Sequence, residues 1–406
     1  MTTDTDTDTV SDYPMARTCP FDPPPEVLSI QERERITRVR LWDGSQPWLV
    51  TGYREVRDIL SDPRVSADTD RAGYPWNSAG QKGRRGVMKT FINMDNPEHD
   101  RLRRMLTREF MVKRMRALRP EIEKIVNGLI DDILAGPNPA DLVEALALPV
   151  PSLVICEMMG VSYEERHLFH ELSRTMISRL STAEEAVAAM QGMMELLARV
   201  VDEKDKAPAD DLVSRLVTEQ MRTGRLSRDE VVNMCQLLLV AGHETTANMI
   251  ALGTLTFLRN PQALKELRTT DDAKVHANSV EEMLRYLTIL HVGRRRVATE
   301  DFEFHGHQIK SGDGIVAAHD AADRDAGTFE NPDVLDIHRP SARHHLAFGY
   351  GPHQCLGQPL ARVELEVVYS TLYRRIPTLE LAVPMDHIVF KTDNVVYGID
   401  ALPVKW

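Results

Sequence analysis

One segment, LSRDEVVNMCQLLLVAGHETTANMIALGTLTFLRNP at residues 226–261, constrains the fold more than any other. Ser227 stands three residues before Glu230, a capping box that opens a helix, and no proline interrupts the run until Pro261. Residues 228–260 at about 1.5 Å per residue span roughly 50 Å, enough to cross a whole domain. Apolar side chains surround nearly every face, so the rest of the chain must pack around this helix. Asn233, His243, Glu244 and Asn248 make it a poor membrane span.

The centre of that helix breaks its own rule. AGHETT puts Gly242, Glu244 and the Thr245–Thr246 pair in the buried middle. Glycine costs about 1 kcal/mol in a helix interior, an unpaired buried carboxylate costs more, and threonine hydroxyls compete for the carbonyl one turn back. The patch is either a place where the helix surfaces or a groove for a small ligand, with an acid and an alcohol available to deliver protons. The apolar flanks favour the groove.

Residues 97–269 read as mostly helical, with breaks near Gly136–Pro139, Pro149–Pro151 and Ala207–Asp210. WLVTGY, RRRVAT, FEFHGHQI and DGIVAA read as short strands, and HIVFKTDNVVYGI as a further β segment near the C-terminus. The expectation is a mainly α fold with a minor β portion. Residues 1–12, a Thr/Asp alternation, read as a disordered tail, and 13–406 as a single domain without a convincing linker. A net charge of −12 disfavours wholesale binding to nucleic acid or anionic membrane. Cys19, Cys156, Cys235 and Cys355 form no CxxC pair or zinc spacing, and no signal peptide opens the chain, so a cytoplasmic protein is expected.

Two further motifs carry chemistry. LAFGYGPHQCLGQPLAR, residues 346–362, sets Cys355 among glycines at the mouth of a helix. It is either an ordinary half-buried thiol or a sulfur presented to something large and flat. EEMLRYL places Glu282 and Arg285 on one helix face with apolar flanks, a pair expected to be partly buried and supported by Arg339.

FGYGPHQCLG matches the Phe-x-x-Gly-x-His/Arg-x-Cys-x-Gly signature of the cytochrome P-450, or haem-thiolate monooxygenase, family at Phe348, Gly351, His353, Cys355 and Gly357. AGHETT, EMLR and the cysteine loop follow in the family's order, and the resemblance covers nearly the whole chain. RTCPFDPP and GRRRVATED resemble the soluble actinobacterial group that includes vitamin D, sulfonylurea, macrolide and statin-precursor hydroxylases.

The resemblance implies the P-450 fold, with haem b between the long helix and the cysteine loop and Cys355 as the proximal thiolate ligand of its iron. A helix N-terminus favours the thiolate, and thiolate ligation assists O–O cleavage. Gly349, Gly351 and Gly357 would let backbone approach the ring, with Phe348 beside the sulfur. His99, Arg103, Arg296 and His353 match the propionate partners. Thr245 and Glu244 match the alcohol–acid pair that holds water and delivers protons, and Gly242 leaves room for O2. Glu282, Arg285 and Arg339 match a structural charge network. One departure stands out: Asp323, in ADRD, replaces an asparagine frequent in relatives.

The strip RLRRMLTREFMVKRMRALRP, residues 101–120, carries eight basic residues and one acid, and is expected to dock an acidic ferredoxin at Arg104, Arg108 and Lys113. An NAD(P)H-dependent reductase would supply that ferredoxin, and the enzyme is expected to be a monomer. The substrate would be a lipophilic, fairly large molecule walled by residues 73–90, Leu238–Val240, 288–292 and 394–396. His291 and Arg84 or Arg85 either meet a polar group on it or face solvent. Hydroxylation is the leading outcome; epoxidation, oxidative ring closure, coupling or dealkylation would use the same chemistry. A haem sensor or carrier is the reading from another class, which the Glu244–Thr245 pair argues against.

Overall fold

A computed structural model of the chain describes residues 10–83, 90–162 and 182–406, with isolated positions between 165 and 175. Residues 1–9 of the expected tail lie outside the described part; just beyond, the Arg40 N–H bonds the Ser11 carbonyl. The chain resolves into two compact units, one from Met1–Asp100, Leu284–Leu335 and Arg343–Cys355, the other from Arg101–Met283, Asp336–Ala342 and Leu356–Trp406.

The first unit is built on a five-stranded sheet. Its order is β1 (Ile36–Arg38), β2 (Trp48–Val50), β8 (Gly314–Ala317), β5 (Arg294–Ala298) and β3 (Val65–Ser66), with β2 and β8 parallel and the other pairs antiparallel. Alternate side chains point to opposite faces. Leu49 and Val316 join Tyr13, Val27 and Ile30 on one side, while Val50, Ile315 and Ala317 join Ile59, Leu60 and Leu346 on the other. Both faces are covered, which is why these strands read as continuous apolar runs. β6 (Phe302–Phe304) and β7 (His307–Ile309) form a hairpin. His305 and Gly306 turn it with φ of 47° and 85°, the left-handed pair that a two-residue hairpin requires.

The second unit is mostly helical. The long helix spans Arg228–Arg259, and both bonds of the Ser227–Glu230 capping box are present. It packs against helices Pro149–Met159, Ala183–Lys206 and Gln358–Arg375. Gly253 permits the last contact: any Cβ there would overlap the Tyr369 hydroxyl, which donates to the Met249 carbonyl at 2.5 Å. A small sheet of β4 (Ala140–Asp141), β10 (Pro403–Lys405) and β9 (Glu380–Leu381) completes the unit.

The break expected near Pro149–Pro151 falls at Leu148, between the helical segment Val143–Ala147 and helix Pro149–Met159, whose first turn holds both prolines because first-turn N–H groups have no intrahelical partner. Two expectations need correction. FEFHGHQI, expected as one strand, is the β6–β7 hairpin turned at His305–Gly306. The expected strand across HIVFKTDNVVYGI reduces to one bridge, Phe390 to Ile399. The intervening chain turns back on itself through Thr392 N–H to Phe390 O and Asn394 N–H to Lys391 O bonds, and the strands instead flank it as β9 and β10.

Candidate functional site

The cysteine loop belongs to the first unit and is held by its own backbone. Gly349 N–H bonds Leu346 O at 2.7 Å, and Cys355 N–H bonds Phe348 O at 2.8 Å. Gly349 and Gly351 both have φ of 73°, which glycine adopts without steric cost. A Cβ at Gly351 would lie 2.5 Å from the Leu60 carbonyl oxygen, whereas one at Gly349 meets nothing within 4 Å. Cys355 is half-buried and in no disulfide. The Phe348 ring lies 5.6 Å from that of His345. Gly357, in the second unit, caps helix Gln358–Arg375 with an ordinary φ of −77°, so its backbone does not require glycine.

The structure brings two of the expected anion partners together. His99 is buried, and its ring centroid lies 4.1 Å from that of His353. His99 Nδ1 is 3.3 Å from Asp100 Oδ1 and 3.4 Å from Asn96 Oδ1. Arg296, on β5, is buried and donates to the Arg295 carbonyl at 2.8 Å. Burial, reinforced by Arg294, lowers its guanidinium to about 10. Arg103 is half-buried on helix Glu98–Thr107.

Sequence reasoning missed two groups here. Arg294 lies within electrostatic reach of the Cys355 thiol. His319, just past β8, is fully buried, and neither ring nitrogen finds a hydrogen-bond partner among the described residues. Burial, with Arg294 and Arg296, pushes its imidazole down to about 3, so it is neutral. The signals were present, as three consecutive arginines and a lone histidine leaving an apolar strand, but neither motif names a partner.

In the second unit, the centre of the long helix opens as the sequence suggested. Val240 is 46% exposed in a helix otherwise largely buried, and a Cβ at Gly242 would meet nothing within 4 Å. The Thr245 hydroxyl donates to the Ala241 carbonyl at 2.7 Å, leaving its lone pairs as acceptors. Burial raises the Glu244 carboxyl, and the charge of Lys391 opposes the rise. Lys391 Nζ lies 3.2 Å from Asn248 Oδ1, and Asn248 Nδ2 donates to the Glu244 carbonyl at 3.0 Å. Gly398 leaves the space Asn248 occupies. Lys391 and Asn248 carried no signal in the sequence, being separated by more than a hundred residues. His243 Nε2 lies 3.1 Å from the Leu148 carbonyl, fixing the helix beside the acid.

The charge network is fully buried rather than partly so. Arg339 Nε lies 3.1 Å from both Glu282 oxygens, and the Asp336 N–H bonds Glu282 at 2.9 Å. In the first unit, Arg285 donates to the carbonyls of Asp323 and Pro332, each at 2.8 Å. Of the expected substrate wall, Leu238, Ile289, His291 and Val292 are buried and Val395 is 37% exposed. Arg84 and Arg85 lie outside the described residues.

Each unit by itself fits part of an iron porphyrin. The first offers a half-buried thiol, a buried arginine without an ion pair among the described residues, and an orphaned buried imidazole, suited to a metal and to carboxylates. The second offers an uncrowded helix centre with an acid and an alcohol.

Comparison with known proteins agrees. The family model described as Cytochrome P450 matches residues 37–376. Cytochrome P450 GfsF of Streptomyces halstedii is 51% identical over 398 residues, covering 97% of this chain and 96% of that protein. Mycinamicin VIII C21 methyl hydroxylase of Micromonospora griseorubida is 41% identical, covering 97% of this chain and 99% of that one. The crystal structure of GfsF superposes with a TM-score of 0.94 at 50% identity, covering 98% of this chain and all of the other.

Proposed function

The chain belongs to the cytochrome P450 family, and on that premise we propose that it hydroxylates a large lipophilic secondary metabolite of the macrolide class. The substrate class rests on the mycinamicin hydroxylase, similar over nearly its full length. One observation carries the catalytic assignment: a Cβ at Gly242 would meet nothing within 4 Å, two residues before the half-buried Glu244–Thr245 pair.

Haem would supply the dioxygen-activating centre, and Cys355 would be the thiolate ligand whose charge favours O–O cleavage. Its propionates would be held by His99, Arg296 and His353 of the first unit and by Arg103 of the second. Thr245, its proton engaged by Ala241, accepts a hydrogen bond from water, and Glu244 passes protons inward from solvent. Phe348, Gly349 and Gly357 keep the ligand loop thin and apolar around the sulfur. No helix among the described residues is long and apolar enough to cross a membrane.

Electrons arrive from a ferredoxin fed by an NAD(P)H-dependent reductase. Arg104, Arg108 and Lys113 are all exposed, and Met111 and Val112, each 53% exposed, lie among them. Charge steers such an encounter and an apolar centre holds it.

The test has two parts. Reduced protein under carbon monoxide shows the red-shifted Soret band of thiolate ligation, lost in Cys355→Ala; a band that persists sinks the ligand assignment. Macrolides are then screened for a spin shift and for NAD(P)H oxidation coupled to a hydroxylated product. Consumption without product from any of them overturns the substrate class.

A further inference from the structure

Asp323 is the departure noted in ADRD, and the structure gives its side chain a specific task. The residue is fully buried in the first unit, at the end of the short helix His319–Ala322. One carboxylate oxygen accepts the Leu346 N–H at 2.6 Å, and the other lies 2.8 Å from the Thr288 hydroxyl. Leu346 opens the cysteine loop, and its own carbonyl holds Gly349 at 2.7 Å. The first residue of the ligand loop is therefore anchored by the Asp323 side chain, while further along Arg57 donates to the Tyr350 hydroxyl at 2.7 Å.

We propose that Asp323 is a positioning residue for the cysteine loop, and that its carboxyl makes the hold on this loop respond to pH. The inference rests on the haem-thiolate reading above. Both protonation states fit the geometry. As a carboxylate, Asp323 accepts from Leu346 and from Thr288. Protonated, it donates to the Thr288 oxygen, whose own proton turns to the Arg285 carbonyl 3.0 Å away. Leu346 is accepted in both states, but a charged acceptor makes the stronger bond.

The groups that face this carboxyl oppose one another. Burial raises it to about 6, while His345, the Leu346 N–H, the Thr288 hydroxyl and Arg285 all act to lower it. Tyr53 also feels its charge, which helps to raise that phenol. An asparagine at 323 would reproduce the protonated arrangement permanently, its oxygen toward Leu346 and its amide toward Thr288. The aspartate therefore adds a titration to a hold that asparagine would provide without one.

The experiment follows the ratio of the 450 nm to the 420 nm band of the reduced carbon monoxide complex from pH 5 to pH 8. Wild type is expected to lose the 450 nm form with an acid limb near pH 6, the protonated fraction growing about tenfold per pH unit well above the midpoint. Asp323→Asn flattens that limb and holds the ratio at the acid-side value of wild type at every pH, because its neutral amide oxygen accepts the Leu346 N–H as the protonated carboxyl does. Asp323→Leu, which leaves the Leu346 N–H unanswered, favours the 420 nm form at every pH. Thr288→Val removes one donor to the carboxylate and moves the limb to higher pH. An Asp323→Asn profile superimposable on wild type overturns the proposal, as does an Asp323→Leu protein with the full 450 nm band. If Asp323→Leu fails to fold, the Asp323→Asn comparison decides alone. A wild type without a 450 nm band at any pH would instead sink the haem-thiolate reading.

Discussion

The imidazole rings of His99 and His353 lie 4.1 Å apart, tilted by 38°. Two rings this close can both donate to one anion, and a carboxylate is the natural one. His99→Phe and His353→Phe are each expected to speed haem loss roughly ten- to hundredfold, the equivalent of ~1.5–3 kcal/mol for a hydrogen bond to a charged group. Transfer of haem to apomyoglobin measures it. Unchanged rates in both would remove these histidines from the haem site.

Lys391 tempers the rise that burial imposes on Glu244. Lys391→Met removes that charge, so the Glu244 carboxyl moves further up and the acid limb of the rate profile shifts to higher pH. Glu244→Gln loses the titration and on the order of 100-fold in rate, the usual share of a positioned proton donor. Peroxide yield per NAD(P)H should rise as product falls. A Lys391→Met profile identical to wild type would show that the lysine acts only on Asn248.

Glu364 is buried on helix Gln358–Arg375, its carboxyl raised by burial to about 8 and eased down by a Thr246 hydrogen bond. The unfolded chain ionises near 4.5. The native state therefore binds more protons in between, and its stability falls as pH rises through this window. Urea denaturation at pH 5 and pH 8 measures the slope. Glu364→Gln should reduce it by several kcal/mol at most, about 1.4 kcal/mol per pKa unit; an unaltered slope would place the titration elsewhere.

Neutralising Arg104, Arg108 and Lys113 together should slow reduction by ferredoxin about tenfold at low salt and flatten its salt dependence. Reduction by dithionite serves as the control. Stopped-flow traces that leave ferredoxin-driven reduction unaffected would move the docking face elsewhere.

Much of this site is legible in the sequence because its chemistry is local. The Ser227–Glu230 cap, the open helix centre at Gly242 and the left-handed glycines beside Cys355 each depend on residues a few positions apart. Helical and strand periods are set by the same short range, so the long helix and strands β2, β5 and β8 emerge close to their observed limits, whereas β1 and β3, only three and two residues long, carry too short a pattern to be read. The misses share a cause as well. FEFHGHQI has strand-forming residues on both sides of His305–Gly306, and only the pairing of its two arms makes it a hairpin rather than one strand.

The sequence by itself determined which groups this protein has for its chemistry: one thiol in a glycine-rich loop, an acid–alcohol pair in an apolar helix, and cations spaced to meet carboxylates. Only the tertiary structure decided who surrounds them. Lys391 reaches Asn248 from 143 residues away, and Leu346 bonds Asp323 from 23. Such pairings have no period in the chain. They arise because burying a polar group demands a partner, and packing alone determines which one is near.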